Sequence, residues 1–101
     1  MKKGNHVELH LKKMLCIGAV LNEQTHIATV WEYDEKKECI FLLLETGKLT
    51  DLSLDAIYDC KIQTEEGGFS CTGRITERYC GAAGKIFKFE IENGFYKINL
   101  K

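Results

Sequence analysis

The chain has 101 residues with a formal net charge of -1, and its 45% hydrophobic and 29% charged residues are typical of one globular domain over residues 1–101. Its twelve lysines are dispersed and it has only two arginines, which argues against binding of polymeric nucleic acid. No apolar run has the length of a membrane span and the first residues lack a signal-peptide core, so we expect a cytoplasmic protein without membrane insertion.

The first half of the chain predicts four strands. Residues 6–12 alternate between apolar and polar, as in a half-buried strand. Residues 14–21 are mostly apolar with Gly18 in the middle, which predicts a buried strand bent at the glycine. Residues 25–33 are rich in β-branched and aromatic side chains. The continuous apolar run 39–44 is typical of a strand buried on both faces.

The alternation is lost between residues 45 and 55. Thr50 or Asp51 is a candidate cap for a single helical turn over residues 52–55. We expect this turn to plug one end of a barrel.

Residues 56–79 predict two strands joined by a turn. Residues 56–62 place their apolar side chains on one face, and the glycines within residues 65–68 suit a turn. In the strand predicted over residues 69–79, unbroken alternation puts Tyr79 on the apolar face and Arg78 on the polar face.

The remaining residues predict one more strand and a closing hairpin. A connection over residues 81–84 leads into an alternating strand at residues 86–91. Asn93-Gly94 is a strong hairpin signal, and it predicts a last strand over residues 95–100.

These patterns define the fold class. Six to seven short strands with tight turns and no sustained helical period predict an all-β protein, a small antiparallel closed or split β-barrel with at most one short helical turn. A two-sheet sandwich is the alternative architecture.

The cysteines and histidines give no metal-site pattern. None of the five cysteines (Cys16, Cys39, Cys60, Cys71, Cys80) forms a Cys-x-x-Cys pair, and Cys60 and Cys71 fall on the inward faces of adjacent predicted strands. We therefore expect reduced, buried thiols. His6 and His10 share a strand face but lie roughly 13 Å apart along it, too far to hold one ion. We predict no metal and no cofactor.

Sequence motifs of enzymes are absent. The chain has no Gly-x-Ser-x-Gly, no phosphate-binding glycine loop and no His-Glu-x-x-His. We therefore interpret the chain as a non-enzymatic binding or regulatory module.

Two local patterns are candidates for a binding site. Arg74 and Arg78 are the only guanidinium groups, and a forked cation suits phosphates and guanine edges. The favoured interpretation of these arginines is surface ion pairing with acidic residues (Glu65, Glu77 or Glu90). Asp51-x-Ser53 lies in a short polar segment, where a helix cap or Asx turn is the favoured interpretation.

Both patterns resemble motifs of the PilZ family, six-stranded β-barrels that bind the bacterial messenger cyclic di-GMP. The family uses an Arg-x-x-x-Arg segment and an Asp/Asn-x-Ser-x-x-Gly segment. Here Asp51-x-Ser53-x-x-Ala56 has alanine in place of the glycine, and Arg74-x-x-x-Arg78 follows this motif instead of preceding it.

Over most of its length the chain is more similar to the N-terminal companion domain of flagellar-brake-type PilZ proteins. The similarity rests on residues 54–58, on residues 73–78 and on the final segment 95–98. Those companion domains pack on a second, ligand-binding barrel and are not the usual nucleotide site. The resemblance implies a cyclic-di-GMP signalling module with degenerate ligand binding, or a domain that contacts another protein or barrel.

The resemblance also assigns roles to residues. If cyclic di-GMP binds, Arg74 and Arg78 would contact phosphates and guanine edges, and Asp51 and Ser53 would contact a base or the ribose. The alternative is a protein-interaction or assembly domain without a small ligand, for which the aromatic pair Phe95-Tyr96 and exposed strand edges are candidate contacts. An oligonucleotide-binding barrel is a third possibility, disfavoured by the lack of a basic aromatic face.

Overall fold

The computed structural model describes residues 1–14 and 25–98, with side chains described except for those of residues 14 and 95–98. The strands are β1 (His6–Met14), β2 (His26–Asp34), β3 (Cys39–Leu44), β4 (Ala56–Thr64), β5 (Gly67–Gly81) and β6 (Gly84–Ile98), with one 3-10 turn, η1 (Leu49–Asp51). Apart from Met14, which ends β1, the strand predicted over residues 14–21 lies outside the described residues, as does the end of the last predicted strand.

The six strands form one closed, fully antiparallel ring. Their order around the ring is β1-β2-β3-β6-β5-β4, and β4 pairs with β1 to complete it. The predicted small all-β barrel with a single helical turn is therefore confirmed, and the architecture is not a two-sheet sandwich. Within residues 1–14 and 25–98, no helix is long and apolar enough to cross a membrane.

The core fills the inside of this ring with side chains from alternate positions of every strand. In β4 the predicted inward set Ala56, Tyr58, Cys60 and Ile62 is buried, which confirms the alternation there. On β6, which is separated from β4 by β5, Phe87 and Phe89 are fully buried. Buried aromatic rings contribute roughly 150–250 Å² of buried area each, so these rings supply much of the core.

The prediction that residues 39–44 are buried on both faces is wrong. Ile40, Leu42 and Leu44 are buried, whereas Phe41 and Leu43 are only half-buried. A barrel of one sheet has a single interior, so the outer face of β3 remains in contact with solvent.

The predicted hairpin at Asn93-Gly94 is also wrong, because both residues lie inside β6. β5 starts at Gly67, and its first residues pair with the end of β6, Gly68 opposite Ile98 and Ser70 opposite Tyr96. The Asn93 side chain donates a hydrogen bond from Nδ2 to Thr72 Oγ1 at 3.1 Å. Pairing with β5 on both sides of Asn93-Gly94, with register shifts next to Thr72, thus overrides the local turn preference.

The other two predicted turns are confirmed. Glu65-Glu66 links the paired residues Thr64 and Gly67, and a second two-residue turn links Gly81 to Gly84. Gly67 and Gly84 have φ values of 122° and 128°, which favour glycine.

A β-bulge in β5 reverses the predicted faces of its last residues. Ile75 lies opposite Phe89 and Arg78 opposite Phe87, so three steps in β5 correspond to two in β6. Arg78 is therefore on the side of the buried phenylalanines, while Tyr79 is 44% exposed. The prediction of Tyr79 inside is wrong because a bulge shifts the alternation by one residue, whereas Arg78 is exposed as predicted.

The helical turn lies three residues earlier than predicted. η1 spans Leu49–Asp51, and Asp51 Oδ2 accepts a hydrogen bond from the Lys48 N–H at 2.9 Å. Leu52 follows the turn and is fully buried within the core. The 45–55 segment therefore fills one end of the barrel with Leu52.

Candidate functional site

The two ends of the barrel differ in how they are closed. The plugged end contains η1, Leu52 and the starts of β2 and β4. Within the described part of the chain, the open end contains residues 1–5, the end of β2, the β4–β5 turn and the end of β6. Each end contains candidate functional residues.

Arg78 contacts the backbone of the plugged end. Its Nη1 donates hydrogen bonds to the carbonyl oxygens of Leu49 at 3.3 Å and Leu52 at 2.7 Å. The Leu49 carbonyl belongs to η1 and the Leu52 carbonyl directly follows it, so the guanidinium fixes the segment that carries the buried Leu52.

Asp51 and Ser53 lie at the same end and also bond to the backbone. Asp51 Oδ2 accepts a hydrogen bond from the Lys48 N–H, as described above. The Ser53 N–H donates a hydrogen bond to the Tyr58 hydroxyl at 2.9 Å. Ser53 Oγ accepts a hydrogen bond from the Asp55 N–H at 3.1 Å. The structure thus brings Asp51, Ser53 and Arg78 to one end of the barrel, each with an intramolecular contact.

Arg74 is separated from this group. It is exposed on β5, and its Nε lies 3.7 Å from Glu92 Oε1. An ion pair was expected for this arginine, with a different glutamate. Because of the bulge between Ile75 and Glu77, Arg74 and Arg78 do not share one face of β5. The assignment of Arg74, Arg78, Asp51 and Ser53 as a ligand site stays a prediction.

His26 is a buried polar residue of the plugged end that the sequence analysis missed. It is 1% exposed, and its ring lies edge-on to Tyr58 with 6.1 Å between centroids. Its Nε2 has no hydrogen-bond partner within the described part of the chain. Burial lowers the pKa of His26, an effect partly offset by Asp51 and reinforced by His10. His26, Ala28 and Val30 are alternate residues of β2, so strand periodicity places them on the same face and could have predicted that His26 points inward.

The cysteines are free thiols where the structure describes them. Cys60 and Cys71 lie directly opposite each other on β4 and β5, both buried, which confirms their predicted placement. The Cys60 pKa is raised by its hydrogen bond with Cys71 and by burial. Cys39 is also buried and Cys80 is exposed, while Cys16 lies outside the described residues.

The open end contains a pocket of about 190 Å³. Its walls are formed by residues before β1, by Tyr33 of β2, by the β4–β5 turn and by Phe69 (Met1, Lys2, Asn5, Tyr33, Thr64, Glu65, Glu66, Phe69). β1 begins at His6, which pairs with Thr29, whereas β2 continues to Asp34. The last residues of β2 therefore extend beyond the start of β1 at this end of the barrel.

Local features of the sequence place the pocket walls. A bulge between Val30 and Glu32 puts Tyr33 opposite the inward Ile40, so its ring packs against the core. Hydrogen bonds from the Gly4 N–H to the Val30 carbonyl and from the Val30 N–H to the Asn5 carbonyl hold the first residues beside β2. The pocket thus has ordered walls on both sides.

The rim of the pocket is charged. Lys2 Nζ lies 3.6 Å from Glu65 Oε2, and both side chains are largely exposed. Thr64 Oγ1 accepts a hydrogen bond from the Glu66 N–H, which fixes the backbone of the turn. Burial raises the pKa of Tyr33, with a further contribution from Glu35, so its phenol is neutral at pH 7.

Among the described residues, the side chains that line the pocket include no histidine and no cysteine. Across residues 1–14 and 25–98, no three His, Cys, Asp or Glu side chains converge as metal ligands. Alternation along a strand can assign Tyr33 and Phe69 to one face of the sheet, but it does not show which end of a barrel a residue occupies.

Comparison with known proteins adds no family to this description. No protein-family model, curated protein or solved structure matches the chain. The class defined by fold and site is therefore a small six-stranded antiparallel barrel with one plugged and one open end, and PilZ membership stays a hypothesis.

Proposed function

We propose that this chain is a non-enzymatic binding module that takes its ligand at the open end of the barrel. The observation that carries the proposal is the contrast between the ends: Leu52 fills one, while the other contains a pocket of about 190 Å³ walled by Tyr33 and Phe69. Mouths of barrels are common ligand sites, because apolar walls there meet a polar rim.

The pocket volume sets the size of the bound group. Most pockets for drug-sized ligands measure roughly 300–1,000 Å³, whereas a cavity of roughly 150 Å³ admits a benzene ring. At about 190 Å³, this pocket fits one ring or one long side chain. The bound species is thus a small molecule or a single group that projects from a larger partner.

A titration with benzyl alcohol, a neutral single-ring probe, tests the site. We expect saturable shifts in the backbone amide NMR signals of Asn5, Tyr33 and Glu66, with little change at the plugged end. Phe69→Ala removes an aromatic wall and weakens the shifts, while Tyr79→Ala, the truncation of an exposed ring outside the pocket, leaves them unchanged. Absence of shifts at the pocket up to the solubility limit of the probe contradicts the proposal.

A second candidate function is a cyclic-di-GMP module that uses Arg74, Arg78, Asp51 and Ser53. The supporting observation is that three of these four residues lie together at the plugged end. Because Arg78→Ala also removes the bonds to η1, Ser53→Ala, which removes one hydroxyl at the plugged end, is the cleaner variant. Calorimetry is expected to show saturable heat with cyclic di-GMP that Ser53→Ala weakens, and no heat with the wild-type chain contradicts this candidate.

A further inference from the structure

We infer that the group bound in the open-end pocket carries a positive charge, as an ammonium on an apolar or aromatic stem. This inference rests on the proposed binding function and specifies the chemical class of its ligand. It follows from the charges of the rim, the aromatic walls and one contact of the chain with itself.

Among the side chains that the structure describes, acidic ones outnumber basic ones on the rim. Glu65, Glu66 and Lys2 are the charged side chains that line the pocket. Lys2 is within ion-pair distance of Glu65, whereas Glu66 has no ion pair among the described residues. A cationic ligand would therefore pair with Glu66, an anion would be repelled by two carboxylates, and a neutral ligand would cover a carboxylate without compensating its charge.

The walls suit the same ligand. A cation close to an aromatic ring is attracted to the negative face of the ring, and an apolar stem packs against the ring edges and the Met1 side chain. Tyr33 and Phe69 supply two rings on different strands of the pocket. The combination of two rings and one unpaired carboxylate is the composition of an ammonium-binding site.

The molecule already contains one contact of this kind beside the pocket. Lys3 Nζ lies 3.7 Å from the centroid of the Trp31 ring. Lys3 follows the pocket residue Lys2, and Trp31 belongs to the same end of β2 as Tyr33. Residues at this end therefore place an ammonium on an aromatic ring without an external ligand.

Three probes of similar size and different charge test the inference on the full chain. Benzylamine, benzyl alcohol and benzoate are titrated separately, with backbone amide NMR shifts of the pocket residues as the measurement. We expect benzylamine to bind about three- to tenfold more tightly than benzyl alcohol, and benzoate to bind most weakly. Added salt should weaken benzylamine binding only.

Matched variants locate the charge selection. Glu66→Gln is expected to reduce benzylamine affinity about threefold and leave benzyl alcohol affinity unchanged. Glu77→Gln removes an exposed carboxylate of β5 outside the pocket and serves as the control. Butylamine, which reproduces a lysine side chain, distinguishes a partner's lysine from an aromatic amine, since affinity comparable to that of benzylamine indicates the former.

The outcomes separate this inference from the proposed function. Equal affinities for the three probes, or a preference for benzoate, overturn the charge selection and leave the binding site in place. No binding of any probe overturns both proposals. If Glu77→Gln reduces the preference for benzylamine over benzyl alcohol as much as Glu66→Gln does, the inference is also overturned. The preference would then come from the overall charge of the protein and not from Glu66.

Discussion

Replacement of Gly73 by alanine is expected to destabilise the barrel strongly. Gly73 is a buried residue of β5 where the register shifts next to Thr72. An added Cβ would overlap the Glu90 carbonyl oxygen, and it would lie 2.9 Å from the Glu90 carbonyl carbon and 3.0 Å from Phe89 Cε2. The two strands approach too closely there for any side chain.

Neither neighbour can move at low cost. The Glu90 backbone lies in β6 between Cys39 of β3 and Arg74 of β5, and Phe89 is fully buried. Overpacking of a core lowers the free energy of unfolding by about 1–3 kcal/mol. Because the Cβ of Gly73→Ala would meet hydrogen-bonded backbone that cannot easily shift, we expect a loss at the upper end, about 3 kcal/mol. In a domain of this size, that corresponds to a decrease in Tm of roughly 12–24 °C.

Thermal and urea unfolding, followed by circular dichroism, measure the effect. Gly94→Ala in β6 is the control, because its Cβ would meet no atom within 4 Å, and we expect its stability to be unchanged or slightly raised. If the free energy of unfolding of Gly73→Ala is within about 0.5 kcal/mol of the wild-type value, β5 and β6 do not approach each other this closely.

Three further predictions concern the plugged end. Leu52→Ala should lower the free energy of unfolding by about 2–5 kcal/mol in urea titrations, whereas Leu54→Ala, at an exposed site, should change it by less than about 0.5 kcal/mol; equal effects would contradict the plug. Arg78→Ala should cost about 1–3 kcal/mol because two carbonyls lose their donor, and Arg74→Ala should cost almost nothing. The unfolded chain binds a proton at His26 near the ordinary pKa of 6.5, whereas burial lowers this pKa in the folded chain. Acidification below pH 6.5 should therefore reduce the free energy of unfolding until the lowered folded-state pKa is reached. If His26→Gln leaves the pH dependence of the free energy of unfolding unchanged, His26 is not its cause.

The faces of β4 could be predicted because its alternation is unbroken from Ala56 to Ile62. The faces at the end of β5 could not, because one extra residue between Ile75 and Glu77 turns Tyr79 toward solvent, and nothing in the local sequence requires that bulge. Similarly, Asn93-Gly94 carries a true local preference for a turn, but β6 pairs with β5 both before and after these residues, so the strand continues through them with shifts of register.

The candidate pocket was less predictable than the fold. Its walls come from residues 1–5, the end of β2 and the β4–β5 turn, which are far apart in the sequence. They meet only because β1 pairs with both β2 and β4 when the ring closes. Tyr33 reaches the pocket through a second bulge, next to Val30. Pattern analysis assigns a face to a residue, whereas a pocket depends on register and ring order.

The order of strands in the ring also constrains how the chain folds during synthesis. β3 pairs with β6, and residues as distant as Cys39 and Glu90 are direct partners. Until β6 leaves the ribosome, β3 and β5 each have an unpaired edge that can associate with other nascent chains. Because closure of so long a loop precedes the stabilising contacts, we expect folding to be slow for a domain of this length and to be completed only after the last strand has been synthesised.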